Sequence, residues 1–122
     1  LILLFGLNFS KKKEPIFSEL KMRIENSDVM VPEIVIAELL QGCKSKLEET
    51  FILKYWENLN RINSEGSLIE ASRLSFQNKY LDKGIGLIDS VLITQVKKKK
   101  IKLWTLDKKI MNILSQNEIF RI

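Results

Sequence analysis

The sequence has no histidine and one cysteine, Cys43. The first absence excludes a His-based triad, a His general acid and a His-ligated zinc site. The second excludes an internal disulfide and suits a reducing compartment, so the cytoplasm is the expected location. A metal, if bound, must be held by oxygen, which selects Mg²⁺ or Mn²⁺. Long apolar runs are missing as well. "LILLF" and "VLI" are far too short to span a bilayer, so no membrane association is expected. No basic stretch precedes "LILLFGLNFS", so a signal peptide is not expected there. Internal repeats and low-complexity segments are also absent.

What is present fits one soluble domain over residues 1–122. Apolar residues make up 45% of the chain and charged residues 29%, which is the balance of a globular protein with a real core. The net charge is +5, and the excess is local. From Val96 to Lys109 there are seven lysines and one acid, Asp107. Such a patch attracts a polyanion. It is equally what a solvated helix end looks like.

The pattern along the chain alternates between helix and strand. Pro15 opens a helical repeat with Ile16, Leu20 and Ile24 on one face. "SDVMV" is a short β-prone run. Pro32 suits the first position of a helix, "PEIVIAELLQG", which Gly42 stops. "KLEETFILKYWENLN" is amphipathic, with Leu47, Phe51, Tyr55 and Leu59 expected inward. "RINS" is a candidate short strand. In "SLIEASRLSFQNKYLDKG", Leu68, Ala71, Leu74 and Leu81 are expected inward. "LIDSVLITQVKKKK" reads as a helix with Ile88, Leu92 and Gln95 on one side. "IKLWT" is a buried-type strand, "KKIMNIL" a short helix and "EIFRI" a closing strand. Strands separated by helices imply α/β architecture, a parallel sheet covered on both faces.

Three acids occupy informative places. Glu38 lies inside the apolar helix "IAELLQG". Asp89 lies near the start of "LIDSVLI". Asp107 follows the strand "IKLWT", and in open α/β sheets ligands bind beyond the carboxyl ends of the strands. Apolar flanks make a lone carboxylate expensive unless it has a partner. Three such acids brought together would raise one another's pKa unless a divalent cation neutralised them. Each also has a plain structural role open to it. Glu38 can face solvent, Asp89 can complement a helix dipole, and Asp107 can cap the helix that follows.

The motifs "AELLQG", "GIGLIDSVLI" and "IKLWTLDKK", in that order, resemble those of the PIN-domain family. The likeness is to its toxin ribonucleases of the VapC type, from bacterial toxin–antitoxin pairs, and it runs over essentially Pro15 to Ile122. It implies a three-layer α/β/α fold with a short parallel sheet and a Mg²⁺ or Mn²⁺ site. It also implies RNA cleavage by metal-activated water, with an antitoxin and a second copy of the chain as partners. It carries the catalytic and metal-binding role onto Glu38, Asp89 and Asp107, and a supporting hydroxyl onto Thr105. Lys97, Lys98, Lys99, Lys100 and Lys108 are then expected at the RNA backbone.

The likeness has gaps. The family opens with a strand ending in aspartate, and this chain has no acid before Glu14. If "LILLF" were that strand, Phe5 would stand where the aspartate belongs. The expectation is instead that "LILLFG" belongs to the helix after that motif. The domain is then N-terminally incomplete, with strand and aspartate upstream of Leu1, and this chain is an impaired nuclease. Lys109 stands where many relatives have another acid.

Overall fold

The computed structural model describes residues 2–4, 22, 26, 29–61 and 65–121. The helical repeat expected from Pro15 to Ile24 lies almost wholly outside them. Four strands form the sheet: β1 (Ile2–Leu4), β2 (Val29–Val31), β3 (Asn60–Arg61) and β4 (Lys102–Trp104). Five helices accompany them: α1 (Glu33–Gln41), α2 (Lys46–Asn58), α3 (Ser67–Asn78), α4 (Leu87–Lys99) and α5 (Lys108–Ile113). Short 3₁₀ turns cover Tyr80–Lys83 and Gln116–Glu118.

The strands lie in the order β3–β2–β1–β4, and every pairing is parallel. Ile2 stands opposite Val29 on one side and Lys102 on the other. This corrects the helical expectation for "LILLFG": Ile2–Leu4 is a strand at the centre of the sheet. The reason lies in the neighbours. β2 and β4 each need a partner for their inner backbone groups, and an unbroken apolar run suits a strand covered on both faces. The closing strand expected at "EIFRI" is reduced to a single bridge, Ile119 to Leu103, with the Phe120 N–H donating to the Leu103 carbonyl at 2.9 Å. The 3₁₀ turn takes up Glu118, the first residue of the expected strand.

The connections β1 to β2 and β2 to β3 step toward one edge, and β3 to β4 steps back across the sheet. Right-handed crossovers then put α1 and α2 on one face and α3 and α4 on the other. The result is an α/β sheet between helical layers. Val29, Val31, Leu103 and Trp104 line the sheet side of the core, against Val35 and Ile36 of α1 and Leu92, Ile93 and Val96 of α4.

Helix α4 is the most enclosed element, buried without a break from Ser90 to Val96. Its hydroxyls are satisfied locally. Ser90 Oγ donates to the Gly86 carbonyl at 2.8 Å and Thr94 Oγ1 to the Ser90 carbonyl at 2.7 Å, the usual way a helix accommodates a buried hydroxyl. Close packing of α3 on α4 is permitted by the small residues Ser67 and Ala71, both buried.

Two helices present faces other than those expected. On α2, Leu47 is 80% exposed and Phe51 59% exposed, while Ile52, Trp56 and Leu59 pack on the core. This helix is apolar on two faces, and the tighter set wins the sheet. Phe51 and Tyr55 pair with each other outside, ring centroids 4.7 Å apart. On α3, Ala71 is buried and Leu74 packs against the core, but Leu68 and Leu81 are exposed. Lys79 adopts a left-handed conformation, φ 54°, and ends the helix. The phase is lost there, so Tyr80 goes inward and Leu81 outward.

Candidate functional site

The carboxyl end of β4 is where the chemistry-bearing residues gather. The neighbours of β1 are reached by connections on opposite faces, so the switch point of the sheet lies between β1 and β4. Crevices for ligands open at such points. Thr105, directly after β4, is buried, and its Oγ1 accepts the Asp107 N–H at 3.1 Å. Asp107 in turn caps α5: its Oδ1 accepts the N–H of Lys109 at 2.8 Å and of Ile110 at 3.4 Å. The structural role open to Asp107 is therefore realised, and it holds the carboxylate in place.

Asp89 arrives from the other side of the crevice. Only Lys100 and Ile101 separate α4 from β4, so the helix runs back along the strand and its first turn sits at the strand's carboxyl end. Asp89 is in that turn, half-buried, with Oδ2 accepting the Gly86 N–H at 3.4 Å. Burial raises its pKa above the ordinary aspartate value, and the negative charge of Asp107 raises it further. The Gly86 N–H and the Lys109 ammonium act in the opposite direction. Asp89 and Asp107, distant in sequence, thus sit within reach of each other's charge.

Glu38 is exposed on α1. Among the described residues no group of three or more carboxylate or thiol side chains is assembled to hold a metal. The donor set of the aspartate pair still fits a hard divalent cation. It is oxygen only, and Asp89 is half-buried within reach of the Asp107 charge. Mg²⁺ is commonly held by one or two carboxylates, with water and substrate phosphate completing its shell.

The lysines divide between the two ends of the molecule. Lys97 to Lys100 are exposed at the C-terminal end of α4, about 15 Å along the helix axis from Asp89 at 1.5 Å per residue. Lys97 Nζ bonds both carboxylate oxygens of Glu118, at 3.2 and 3.3 Å, and Lys98 Nζ bonds Glu70 at 3.0 Å. Lys108 is exposed beside Asp107 on α5. A hollow of ≈ 230 Å³ beside β4 is lined by Trp104, Thr105, Met111 and Phe120 among others, and by neither aspartate.

The contacts of two residues near the site were not expected from the sequence. Lys109 reaches back over the loop before α4, and nothing in its local sequence says so. Gly86 holds Asp89 through its N–H, and glycine directly before an apolar helix was the available signal.

A family model described as PIN domain matches residues 3–113. The chain belongs to the PIN domain family. Its fold is thus of a nuclease type. No curated protein matches the chain. No helix among the described residues of this PIN domain is long and apolar enough to cross a membrane.

Proposed function

We propose that this PIN domain, residues 1–122, is an endoribonuclease of the toxin kind found in VapC-type toxin–antitoxin pairs, acting in the cytoplasm. It would hydrolyse RNA phosphodiester bonds with Mg²⁺ or Mn²⁺. What supports this reading is the PIN-domain match over residues 3–113, together with Asp89 and Asp107 lying near enough to influence each other's charge. Asp89 and Asp107 would hold the cation; Glu38, the third acid of the family motif, is exposed on α1 and would have to be drawn in to join them. A bound divalent cation supplies an acidified water and neutralises charge on the phosphate.

The chain's own residues orient and attract. Thr105 fixes the Asp107 backbone, and Asp107 fixes the first turn of α5. Lys108 adds positive charge on that turn, where an RNA strand entering the crevice would pass. Lys97 to Lys100 would contact the same strand further along, through phosphate attraction that is independent of sequence. The apolar side chains exposed on α2, Leu47, Phe51 and Tyr55, offer surface to an antitoxin or to a second copy of the chain.

One observation favours a second reading, a PIN-like module that binds RNA or an antitoxin without cleaving. Lys109 brings a positive charge to the pair that the cation would otherwise neutralise. Cleavage of a mixed RNA with and without Mn²⁺ separates the two. Metal-dependent cleavage lost in Asp89→Asn and Asp107→Asn supports the nuclease. RNA binding with no cleavage at any Mn²⁺ concentration leaves the binding module.

A further inference from the structure

We infer that the hollow beside β4 receives one unpaired nucleobase of a bound RNA strand, with Arg121 on the adjoining phosphate. The inference rests on the reading of this chain as an RNA-binding domain. Three segments build the hollow at the carboxyl end of the sheet. Trp104 and Thr105 leave β4 there, Met111 comes from α5, and Phe120 and Arg121 follow the bridge from Ile119 to Leu103. That bridge is parallel, so Phe120 and Arg121 run past the strand end in the same direction as Thr105.

Thr105 joins the hollow to the acids. It lines the hollow, and its Oγ1 accepts the Asp107 N–H at 3.1 Å. Asp107 in turn caps the helix that brings Met111. A strand lying beside Asp107 therefore has the hollow at its flank.

Size and lining both suit a base. The volume, ≈ 230 Å³, falls below the roughly 300–1,000 Å³ of pockets that enclose drug-sized ligands. It accepts one flat ring system rather than a whole nucleotide. The lining is mostly apolar and carries no carboxylate. Trp104 and Phe120 already pack ring on ring, with centroids 4.9 Å apart, so an inserted base extends an aromatic pair. Such stacking tolerates any base, because every base has a π-face. Arg121 is exposed, and its Nη2 donates to the neutral Gln116 Oε1 at 3.4 Å. Lys97 and Lys98 have their charges met by Glu118 and Glu70. Arg121 has no ion pair among the described residues, so its guanidinium keeps its charge for a phosphate.

The test uses the intact chain with EDTA present, so that binding is read without cleavage. The probes are a short oligouridylate and an abasic oligomer with the same number of phosphates, compared by fluorescence anisotropy. Wild type should bind the oligouridylate roughly tenfold more tightly, the scale of one base stacked on an aromatic side chain. Phe120→Leu should lose most of that preference and bind the abasic oligomer as wild type does. Arg121→Gln should weaken both probes and keep the preference.

Thermal melts confirm that the variants are folded. Should Phe120→Leu fail to fold, the two tryptophans of the wild-type chain decide. Trp56 lies under Arg61, at the opposite edge of the sheet from β4. In NMR spectra the oligouridylate should move the Trp104 indole N–H signal and leave that of Trp56 in place. The abasic oligomer should move neither. Equal affinity of wild type for the two probes overturns the inference. So does a preference undiminished in Phe120→Leu, or a Trp104 signal that stays still. In those cases RNA binding stands and only the base site falls. If neither probe binds, the RNA-binding reading and the base site fall together.

Discussion

Asp107 Oδ1 accepts the Lys109 N–H at 2.8 Å, so one carboxylate both caps a six-residue helix and presents charge to the crevice. The two duties can be separated by substitution. Asparagine caps a helix about as well as aspartate, and alanine does not. Asp107→Ala should lose ~1 kcal/mol of stability in urea denaturation, together with Mn²⁺ binding. Asp107→Asn should keep the stability and lose the binding. Equal stability of the two variants would show that the cap contributes nothing.

Asp89 should give a pH signature of definite sign. Its folded pKa is raised, by burial first and then by Asp107. The folded chain therefore holds a proton at Asp89 more tightly than the unfolded chain, whose reference is 3.8. Above the folded value Asp89 is ionised in both states and carries a full penalty. The penalty shrinks as pH falls through the folded value and is gone below the unfolded one. Asp89→Asn should thus be at least as stable as wild type at pH 7 without metal, with the difference closing on acidification. A constant difference at every pH would contradict this.

Lys79 holds a left-handed φ of 54° at the end of α3, where a side chain is disfavoured and glycine is the common residue. Lys79→Gly should raise stability by up to ~1 kcal/mol, read as an upward shift in thermal midpoint. A lowered midpoint would mean that the lysine side chain makes an interaction worth more than the strain.

Lys99 and Lys100, exposed beyond the two paired lysines, should matter for RNA affinity and not for chemistry. Replacing both with alanine should weaken binding and reduce the salt slope by ~0.7 for each phosphate that is no longer neutralised. The catalytic rate at saturating RNA should not change. An unaltered affinity and slope would leave these residues only the task of complementing the C-terminal dipole of α4.

Much of this was legible in the sequence, for local reasons. The helix "LIDSVLITQVKKKK", the stop at Gly42 and the strand before Thr105 follow from periodicity and caps that act over a few residues. Asp89 and Asp107 stood out because a carboxylate amid apolar neighbours needs an explanation. The misread parts depend on distant neighbours. Five apolar residues in a row, "LILLF", carry no period that separates helix from strand, and only the vacancy between β2 and β4 decides. On α2 two apolar faces compete, and the sheet, not the pattern, selects Ile52 and Trp56 to join the expected Leu59. The lysine run looked uniform, yet Glu70 and Glu118 claim half of it from far along the chain.

The central place of β1 also orders the events of synthesis. Ile2 pairs with Val29 and with Lys102, so the middle of the sheet joins the earliest part of the described chain to one of its last. On the ribosome β1 and β2 can meet early, with α1, α2 and β3 following outward. The other flank of β1 must wait until β4 has left the exit tunnel. Until then an apolar strand has one open edge, and the nascent chain is most exposed to wrong pairing just before the segment that completes its crevice is made.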